Sequence, residues 1–168
     1  MSSPSFRVIR PGETYPFRII RLAEDLPQDT ESLYIVAVRI VPSQEKLNNE
    51  SMVQTRLVLS MMGRLKFFYR PSSLAKTFGV EELRQRLRAS CLGKTVTLFN
   101  PSPYWGTFDS LSFDGRNILS ESPKPMIAPE HTAEFSVAVC PRIVSVSFLS
   151  ENGIATPVRE IHVETHSR

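Results

Sequence analysis

The longest regular pattern in the chain is an alternation of apolar and polar side chains that runs from residue 52 to residue 70. The mainly apolar set of alternate positions consists of Val53, Thr55, Leu57, Leu59, Met61, Gly63, Leu65, Phe67 and Tyr69. A period of two indicates a β-strand, and strands are usually about 5–6 residues long. A strand of this length either overhangs its own sheet or offers an edge to a partner. Pro71 ends the pattern.

Alternation also dominates the rest of the chain, where no helical period is sustained. Strand-like runs are predicted at residues 5–10, 17–22, 33–41, 95–99, 133–139, 143–149 and 158–163. Asp114-Gly115 and Asn152-Gly153 are pairs that two-residue hairpin turns prefer. The chain has 13 prolines against 7 glycines, and scattered prolines disfavour a helix bundle. Together these features predict an all-β protein with an antiparallel sandwich architecture.

A polar, proline-containing segment at residues 71–79 divides the chain into two halves. We place a first domain at residues 1–72, a linker at 73–79 and a second domain at 80–168. The segment VEELRQRLRA, at residues 80–89, is ambiguous. Its apolar spacing fits a short helix, whereas its alternating arginines fit a strand, so both interpretations stay open.

Patterns typical of catalysis are missing from the sequence. It contains no glycine-rich phosphate loop, nucleophile elbow, HExxH motif or dinucleotide fingerprint. His162 and His166 have a spacing that would pair them on a helix, but the local pattern is a strand or a tail, so no metal site is predicted. We therefore predict no catalytic residue, no enzymatic activity, no cofactor and no small-molecule substrate.

Charge and hydropathy exclude two further classes of partner. The net charge is only +3, and the basic run at residues 84–88 lacks interleaved aromatic residues, so nucleic-acid binding is not expected. No stretch approaches the roughly 18 apolar residues of a membrane span. Cys91 and Cys140 lack the spacing of metal ligands, and their spacing leaves open whether they form a disulfide.

One lysine is unusual because it lies within the long apolar pattern. Lys66 is part of RLKFFYRP, at residues 64–71. A lysine inside an otherwise hydrophobic strand needs a partner or a route to water, and one natural partner is the terminal carboxylate of another chain. Leu57, Leu59 and Met61, on the same strand, fit either a core or a contact with such a partner.

Three sequence blocks together resemble one protein family. LPQDTESLY at residues 26–34, RLKFFYRP at 64–71 and NPSPYW at 100–105 are similar to the signature blocks of PapD-like periplasmic pilus chaperones, which belong to the chaperone–usher pathway. The blocks occur in the family's order, and the resemblance covers about residues 4 to 162. It implies two immunoglobulin-like sandwich domains arranged as a boomerang.

The resemblance also implies a function and roles for individual residues. A pilus subunit lacks the last strand of its own sandwich, and the chaperone strand at residues 52–70 fills the groove by donor-strand complementation. Leu57, Leu59 and Met61 match the groove-filling positions, and Lys66 matches the lysine that anchors the C-terminal carboxylate of the subunit. An interdomain ion cluster matches Glu31, Arg70 and Glu151. The expected partners are pilus subunits and the outer-membrane usher, in the periplasm.

Three departures from the family pattern qualify these expectations. Glu151 stands where an aspartate is usual, and Thr30 stands where an arginine is usual. The strands that normally open the first domain have no counterpart, so we expect an incomplete first domain, a truncated or inactive copy, and self-association through that domain. The alternative is a β-sandwich pilus subunit or an adhesin-like structural protein.

Overall fold

A computed structural model describes residues 2–3, 6–20, 22, 25–42, 59–74, 79–119 and 124–165. No helix within these ranges is long and apolar enough to cross a membrane. The helical elements are a 3-10 turn at Ser72–Leu74 and the helix α1, Gly79–Arg86. The strands are β1 (Ser2–Ser3), β2 (Arg18–Ile19), β3 (Ser32–Ile40), β4 (Met61–Tyr69), β5 (Arg88–Leu92), β6 (Thr95–Phe99), β7 (Gly106–Phe113), β8 (Arg116–Asn117), β9 (Met126–Ile127), β10 (Thr132–Ser136), β11 (Ile143–Phe148), β12 (Arg159–His162) and β13 (Glu164–Thr165).

The C-terminal part is a sandwich of two sheets, which confirms the predicted all-β class. One sheet has the strand order β10-β6-β5-β13, and the other has the order β12-β11-β7-β8, with β9 also paired to β7. The chain changes sheets between β12, which pairs with β11, and β13, which runs parallel to β5. This crossing closes the sandwich at one side.

The hydrophobic core lies between these two sheets, and every member of the buried cluster falls between Leu83 and Ile161. Alternate side chains of β6 point inward, as a period of two requires. On β7, Phe108 and Leu111 are both buried although they are three residues apart. The register against β11 shifts at Ser147, which leaves an extra residue on β7 and resets which positions face inward.

Both predicted hairpin turns connect strands that pair, but their geometry differs. Asp114 and Gly115 have φ angles of 47° and 80°, so they form the expected two-residue turn with two left-handed positions. The Asp114 carboxylate also accepts the backbone N–H of Ile143 at 2.9 Å. In the second turn only Gly153 has a positive φ, of 74°, and the N–H of Ser150 donates to Ile154 across a three-residue loop. The two-residue form expected at Asn152-Gly153 is therefore wrong, because Asn152 is not left-handed.

The ambiguous segment at residues 80–89 contains both of the predicted structures. Helix α1 carries Glu81 and Glu82 in its first turn, where carboxylates complement the helix dipole. At its C-terminal end, the Arg159 guanidinium donates to the carbonyl of Leu87 at 3.2 Å. Strand β5 begins directly afterwards at Arg88, so the three arginines do not share one element.

The N-terminal part is built differently, from two small ribbons. β1 pairs with β2, and β3 pairs antiparallel with β4 along its whole length. Met62 and Leu65 of β4 point to opposite faces of the β3–β4 ribbon and are 57% and 61% exposed. Neither face of the ribbon is therefore covered by the described residues. The strand predicted at residues 5–10 is wrong for residues 6–10, and the strand predicted at 17–22 is limited to Arg18–Ile19. A strand forms only where a neighbouring strand pairs with its backbone, and the strand propensity of a segment does not supply that neighbour.

A disulfide joins Cys91 to Cys140, with Cα atoms 5.9 Å apart. It links β5, in the core of the sandwich, to the connection between β10 and β11. This geometry settles the pairing that the sequence left open.

We expect limited proteolysis to separate the two parts. The exposed N-terminal ribbons should be cut first, and a fragment beginning near residue 79 should persist, because its core is closed and cross-linked. Intact-mass spectrometry after a trypsin time course measures this order. A full-length chain that survives as long as the fragment would contradict it, and a reduced sample controls for the contribution of the disulfide.

Candidate functional site

A cleft of about 570 Å³ lies where the β3–β4 ribbon meets the C-terminal sandwich. Its lining comes from both parts and consists of Glu31, Lys66, Phe67, Phe68, Arg70, Val80, Trp105, Thr107, Leu149, Ser150, Glu151 and Gly153. The cleft therefore contains one predicted anchor residue and the three residues of the predicted ion cluster.

The register of the ribbon brings Glu31 and Arg70 together. Ser32 is opposite Tyr69 in the antiparallel pairing, so the next residues outward, Glu31 and Arg70, face each other at the end of the ribbon. The Arg70 Nε donates to Glu31 Oε1 at 2.7 Å. Two residues far apart in sequence thus form an ion pair because of strand register.

Glu31 is the most extensively bonded polar residue of the cleft. Its other carboxylate oxygen, Oε2, accepts the backbone N–H of Trp105 at 2.9 Å. Its carbonyl oxygen accepts the Trp105 indole N–H at 3.1 Å, and its own N–H donates to the carbonyl of Pro103 at 2.9 Å. The side chain of Glu31 is only 3% exposed. A buried carboxylate is stable only when paired and hydrogen-bonded, and both conditions hold here.

Arg70 connects this buried carboxylate to Glu151, in the C-terminal part of the chain. Its Nη2 forms an ion pair with Glu151, whose side chain is 64% exposed. Desolvation alone lowers the pKa of Arg70, but the hydrogen bonds and charges of Glu31 and Glu151 outweigh it, so the pKa of Arg70 lies above its usual value. The Glu31 pair is shielded from water and the Glu151 pair is not, so solvent screens the second contact more strongly.

The NPSPYW block forms the loop that receives Glu31. Asn100 is fully buried, and its Nδ2 donates to the carbonyls of Tyr104 and Ala128, each at 2.8 Å. Its Oδ1 accepts the N–H of Ser102 at 3.0 Å. One asparagine thereby fixes the loop conformation that presents Pro103 and Trp105 to Glu31.

The aromatic ring of Tyr104 packs against the Arg70 guanidinium. The Arg70 guanidinium carbon lies 5.2 Å from the centre of the Tyr104 ring, within the range of a cation–π contact. The Tyr104 hydroxyl donates to the carbonyl of Leu74, in the 3-10 turn, at 3.4 Å. Burial is the main cause that raises the pKa of Tyr104, so its ring stays neutral near pH 7.

Lys66 lies on the wall of the cleft, on β4. Its Nζ donates to Thr107 Oγ1, on β7, at 3.2 Å. Lys66 forms no ion pair with any carboxylate among the residues that the structure describes. Partial burial lowers the pKa of Lys66 from its ordinary value of 10.5, because desolvation disfavours the charged ammonium.

The three predicted groove-filling residues are not all described. Leu57 lies outside the described residues. Leu59 lies two residues before β4 and is 69% exposed, and Met61 begins β4 and is 67% exposed. For these two residues, the interpretation as buried core is wrong.

Two residues of the site had no assigned role in the sequence. A Cβ at Gly79 would lie 2.8 Å from the Arg70 guanidinium and would displace that side chain, and the φ of 32° at Gly79 also favours glycine. Thr107 gives Lys66 its hydrogen-bond acceptor. For Gly79, the available signal in the sequence was a glycine at the end of the linker. For Thr107, the sequence contains no such signal.

Comparison with protein families identifies both parts of the chain. The model of the PapD N-terminal domain, described as a pili and flagellar-assembly chaperone, matches residues 1–75. The model of the PapD C-terminal domain, described as a pili assembly chaperone, matches residues 82–159. The chain belongs to the PapD-like pilus chaperone family.

Curated relatives of this family are longer than the chain. The probable fimbrial chaperone protein ElfD of Escherichia coli K12 is 30% identical over 157 residues, which cover 92% of this chain and 63% of that protein. The chaperone protein FimC of the same strain is 33% identical over 101 residues, or 60% of this chain and 40% of FimC. The chain thus spans less than two thirds of the length of these relatives.

Solved structures show the same fold. The Salmonella enterica SafB chaperone, in complex with the SafA pilin, matches with a TM-score of 0.72 at 20% identity, over 87% of this chain and 66% of that one. The Pseudomonas aeruginosa CupB2 chaperone matches with a TM-score of 0.59 at 28% identity, over 87% and 64% of the two chains. These matches support the expectation of immunoglobulin-like chaperone domains.

We expect the contact between the β3–β4 ribbon and the Trp105 loop to depend far more on Glu31 than on Glu151. Glu31→Ala removes the acceptors of the half-buried Arg70 guanidinium and of the Trp105 N–H, and a hydrogen bond to a charged group contributes about 1.5–3 kcal/mol. Glu151→Ala removes an exposed ion pair, worth about 0–1 kcal/mol. Trp105 is the only tryptophan of the chain, so its fluorescence reports on this contact.

The measurement is the emission maximum of Trp105 and its quenching by acrylamide. Glu31→Ala should shift the emission to the red and increase quenching, whereas Glu151→Ala, the matched control, should leave both close to those of the unmodified chain. Equal changes in the two variants would mean that the exposed ion pair matters as much as the buried one.

Proposed function

We propose that the chain is a chaperone for pilus subunits, which it caps by adding its strand at residues 52–70 to the subunit and by anchoring the terminal carboxylate of that subunit on Lys66. The observation that carries this proposal is the position of Lys66, within the exposed strand β4 and on the wall of the cleft between the two parts of the chain. Among the described residues, its ammonium has no carboxylate partner. Such a cation is suited to bind a chain terminus.

The exposed edge of β4 supports the strand-addition step. Within the described residues, β4 pairs with β3 on one side and with no other strand. An open edge offers backbone N–H and C=O groups that accept an extended segment independently of its sequence. Strand addition therefore suits a chaperone that serves several subunits of one pilus.

The exposure of Leu59 and Met61 supports the groove-filling step. These side chains are two residues apart, so an extended strand directs both to the same face. Burying an apolar side chain of this size contributes roughly 1.5–3 kcal/mol before the cost of ordering the strand is subtracted. We propose Leu57 as the third residue of the same row.

Lys66 would set the register of the complex. Met61 and Lys66 are five residues apart, or about 17 Å along an extended strand. A carboxylate fixed at Lys66 determines which pocket of the pilus subunit each apolar side chain meets, and a slip of one residue would turn every side chain to the wrong face. The ammonium already donates to Thr107, which limits its freedom before a subunit binds.

The remaining assignments concern organisation and location. We propose that Glu31, Arg70 and Glu151 fix the angle between a first domain at residues 1–72 and a second domain at 80–168, joined by a linker at 73–79. The Cys91–Cys140 disulfide suits an oxidising compartment, which supports a periplasmic location. In that compartment the usher would be the second partner.

We expect Lys66→Ala to weaken binding of a peptide that reproduces the C-terminal end of a pilus subunit. The loss should be roughly 10-fold to 100-fold, because a charge-assisted hydrogen bond contributes about 1.5–3 kcal/mol. Isothermal titration with a peptide that has a free carboxylate measures it. Lys94→Ala removes an exposed lysine from the turn between β5 and β6 and is the matched control.

An amidated version of the peptide separates anchoring from strand addition. The unmodified chain should bind it as weakly as Lys66→Ala binds the free acid, and Lys66→Ala should bind both forms equally. If Lys66→Ala still distinguishes the acid from the amide, the carboxylate is anchored elsewhere.

The lowered pKa of Lys66 predicts a dependence on pH. The ammonium is present below the pKa and is lost as pH rises through it, and that loss begins at a lower pH than for an ordinary lysine. Affinity for the free-acid peptide should therefore begin to fall, as the pH is raised, before an ordinary lysine would lose its proton. Lys66→Arg, which stays charged throughout, should retain its affinity over the same range. A parallel decline in both variants would show that another group is responsible.

A further inference from the structure

The disulfide between Cys91 and Cys140 has one buried end and one accessible end. Cys91 is 2% exposed and belongs to the core of the C-terminal sandwich. It lies on β5, which is paired with β6 on one side and with β13 on the other. Cys140 is only partly buried and lies outside the strands, in the connection between β10 and β11. A reagent in solution therefore reaches the bond from the Cys140 side.

The connection that contains Cys140 is attached to the sandwich at its two ends. At one end, the N–H of Val137 donates to the carbonyl of Lys94 at 2.9 Å. At the other end, the N–H of Arg142 donates to the Asp114 carboxylate at 3.0 Å. Between them, the backbone of residues 138–141 makes no hydrogen bond with any residue that the structure describes. This segment can therefore shift without breaking a strand pairing.

The two sulfur atoms are not equivalent in thiol–disulfide exchange. Exchange proceeds by attack of a thiolate on one sulfur, which expels the other sulfur as a thiolate. Attack at Cys140 expels the Cys91 thiolate into the apolar core, where a charge is costly. Attack at Cys91 would expel the Cys140 thiolate toward water, but the Cys91 sulfur is buried. Because the accessible sulfur has the poorer leaving group, the closed bond is protected in the folded chain.

We propose that Cys140 is the site at which this chain exchanges with an external thiol or disulfide, and that Cys91 is the resolving thiol. In the oxidation, the Cys140 thiolate attacks an external disulfide, forms a mixed disulfide and releases one external thiolate. The Cys91 thiol then loses its proton, attacks the Cys140 Sγ and expels the second external thiolate into water. The external disulfide is reduced to two thiols, and the chain loses two electrons.

This assignment couples closure of the bond to assembly of the sandwich. The two cysteines are 49 residues apart in sequence, and the fold brings them together only when β5 and the β10–β11 connection are both in place. A mixed disulfide on Cys140 should therefore persist in an unassembled chain and be resolved as the sandwich forms. The inference goes beyond the proposed chaperone function and does not depend on the client.

The first test compares the two single-cysteine variants, Cys91→Ala and Cys140→Ala, with oxidised glutathione as the probe. Both variants lack the disulfide, so each is the matched control of the other. In the folded chains, Cys140 should form the glutathione adduct roughly 100-fold faster than Cys91. In concentrated guanidinium the two rates should agree within about threefold, because burial no longer distinguishes the sulfur atoms. Equal rates in the folded variants would overturn the proposal, and circular dichroism verifies that both are folded.

The second test uses the unmodified chain with reduced glutathione, and so does not depend on the folding of a variant. Acid quenching, pepsin digestion and mass spectrometry locate the mixed disulfide. Glutathione should be found on Cys140, with a free thiol on Cys91, at least about tenfold more often than in the reverse arrangement. Glutathione mainly on Cys91 would overturn the proposal. If no adduct accumulates on either cysteine, the rates of the single-cysteine variants decide between the two sulfur atoms.

The dependence of the opening rate on urea separates exchange on the folded chain from exchange after unfolding. At low urea concentrations the rate should change little, because attack at Cys140 exposes little new surface. A rate that rises with urea as steeply as global unfolding does would overturn the assignment of Cys140 as an accessible site. None of these outcomes bears on Lys66, since neither cysteine lines the cleft.

Discussion

The carboxylate of Glu31 is the interaction on which the arrangement of the two parts depends. It is buried, and removing a charge from water is costly unless every lone pair finds a donor. Arg70 supplies one donor from the ribbon, and Trp105 supplies another from the sandwich. Since the acceptor is shared between the two parts, neither can move far without leaving a buried charge unsatisfied. The cleft that contains Lys66 therefore has a defined shape.

The two parts differ in how their stability arises. The sandwich is held by apolar side chains between two sheets, by a fully buried Asn100 that satisfies its own loop, and by the Cys91–Cys140 disulfide. The β3–β4 ribbon has strand pairing and the contact at Glu31, but its apolar side chains face outward. An alternating pattern usually indicates a face that packs on a core. Here the same pattern describes side chains that are exposed on both faces of the ribbon among the described residues.

Much of this organisation was predictable from the sequence, and the failures have physical causes. The Asp114-Gly115 turn was predictable because both positions require left-handed backbone, which these residues tolerate. The strand expected at residues 5–10 was wrong because alternation indicates which side chains could share a face but supplies no neighbouring strand. The split of residues 80–89 was not predictable, since helix and strand patterns overlap there. In the site, the proximity of Glu31 and Arg70 came from the family resemblance, whereas Gly79 and Thr107 are placed by tertiary contacts that local pattern does not encode.

The two strands of the ribbon differ in charge although their apolar content is similar. Both are nine residues long, but β3 carries one charge, at Arg39, whereas β4 carries Arg64 and Lys66 near its centre. Under the proposed function, the Lys66 ammonium would bind the terminal carboxylate of a partner. The backbone of β4 would pair with the backbone of that partner, which any sequence offers. Charge, and not hydrophobicity, would therefore determine the register of the complex.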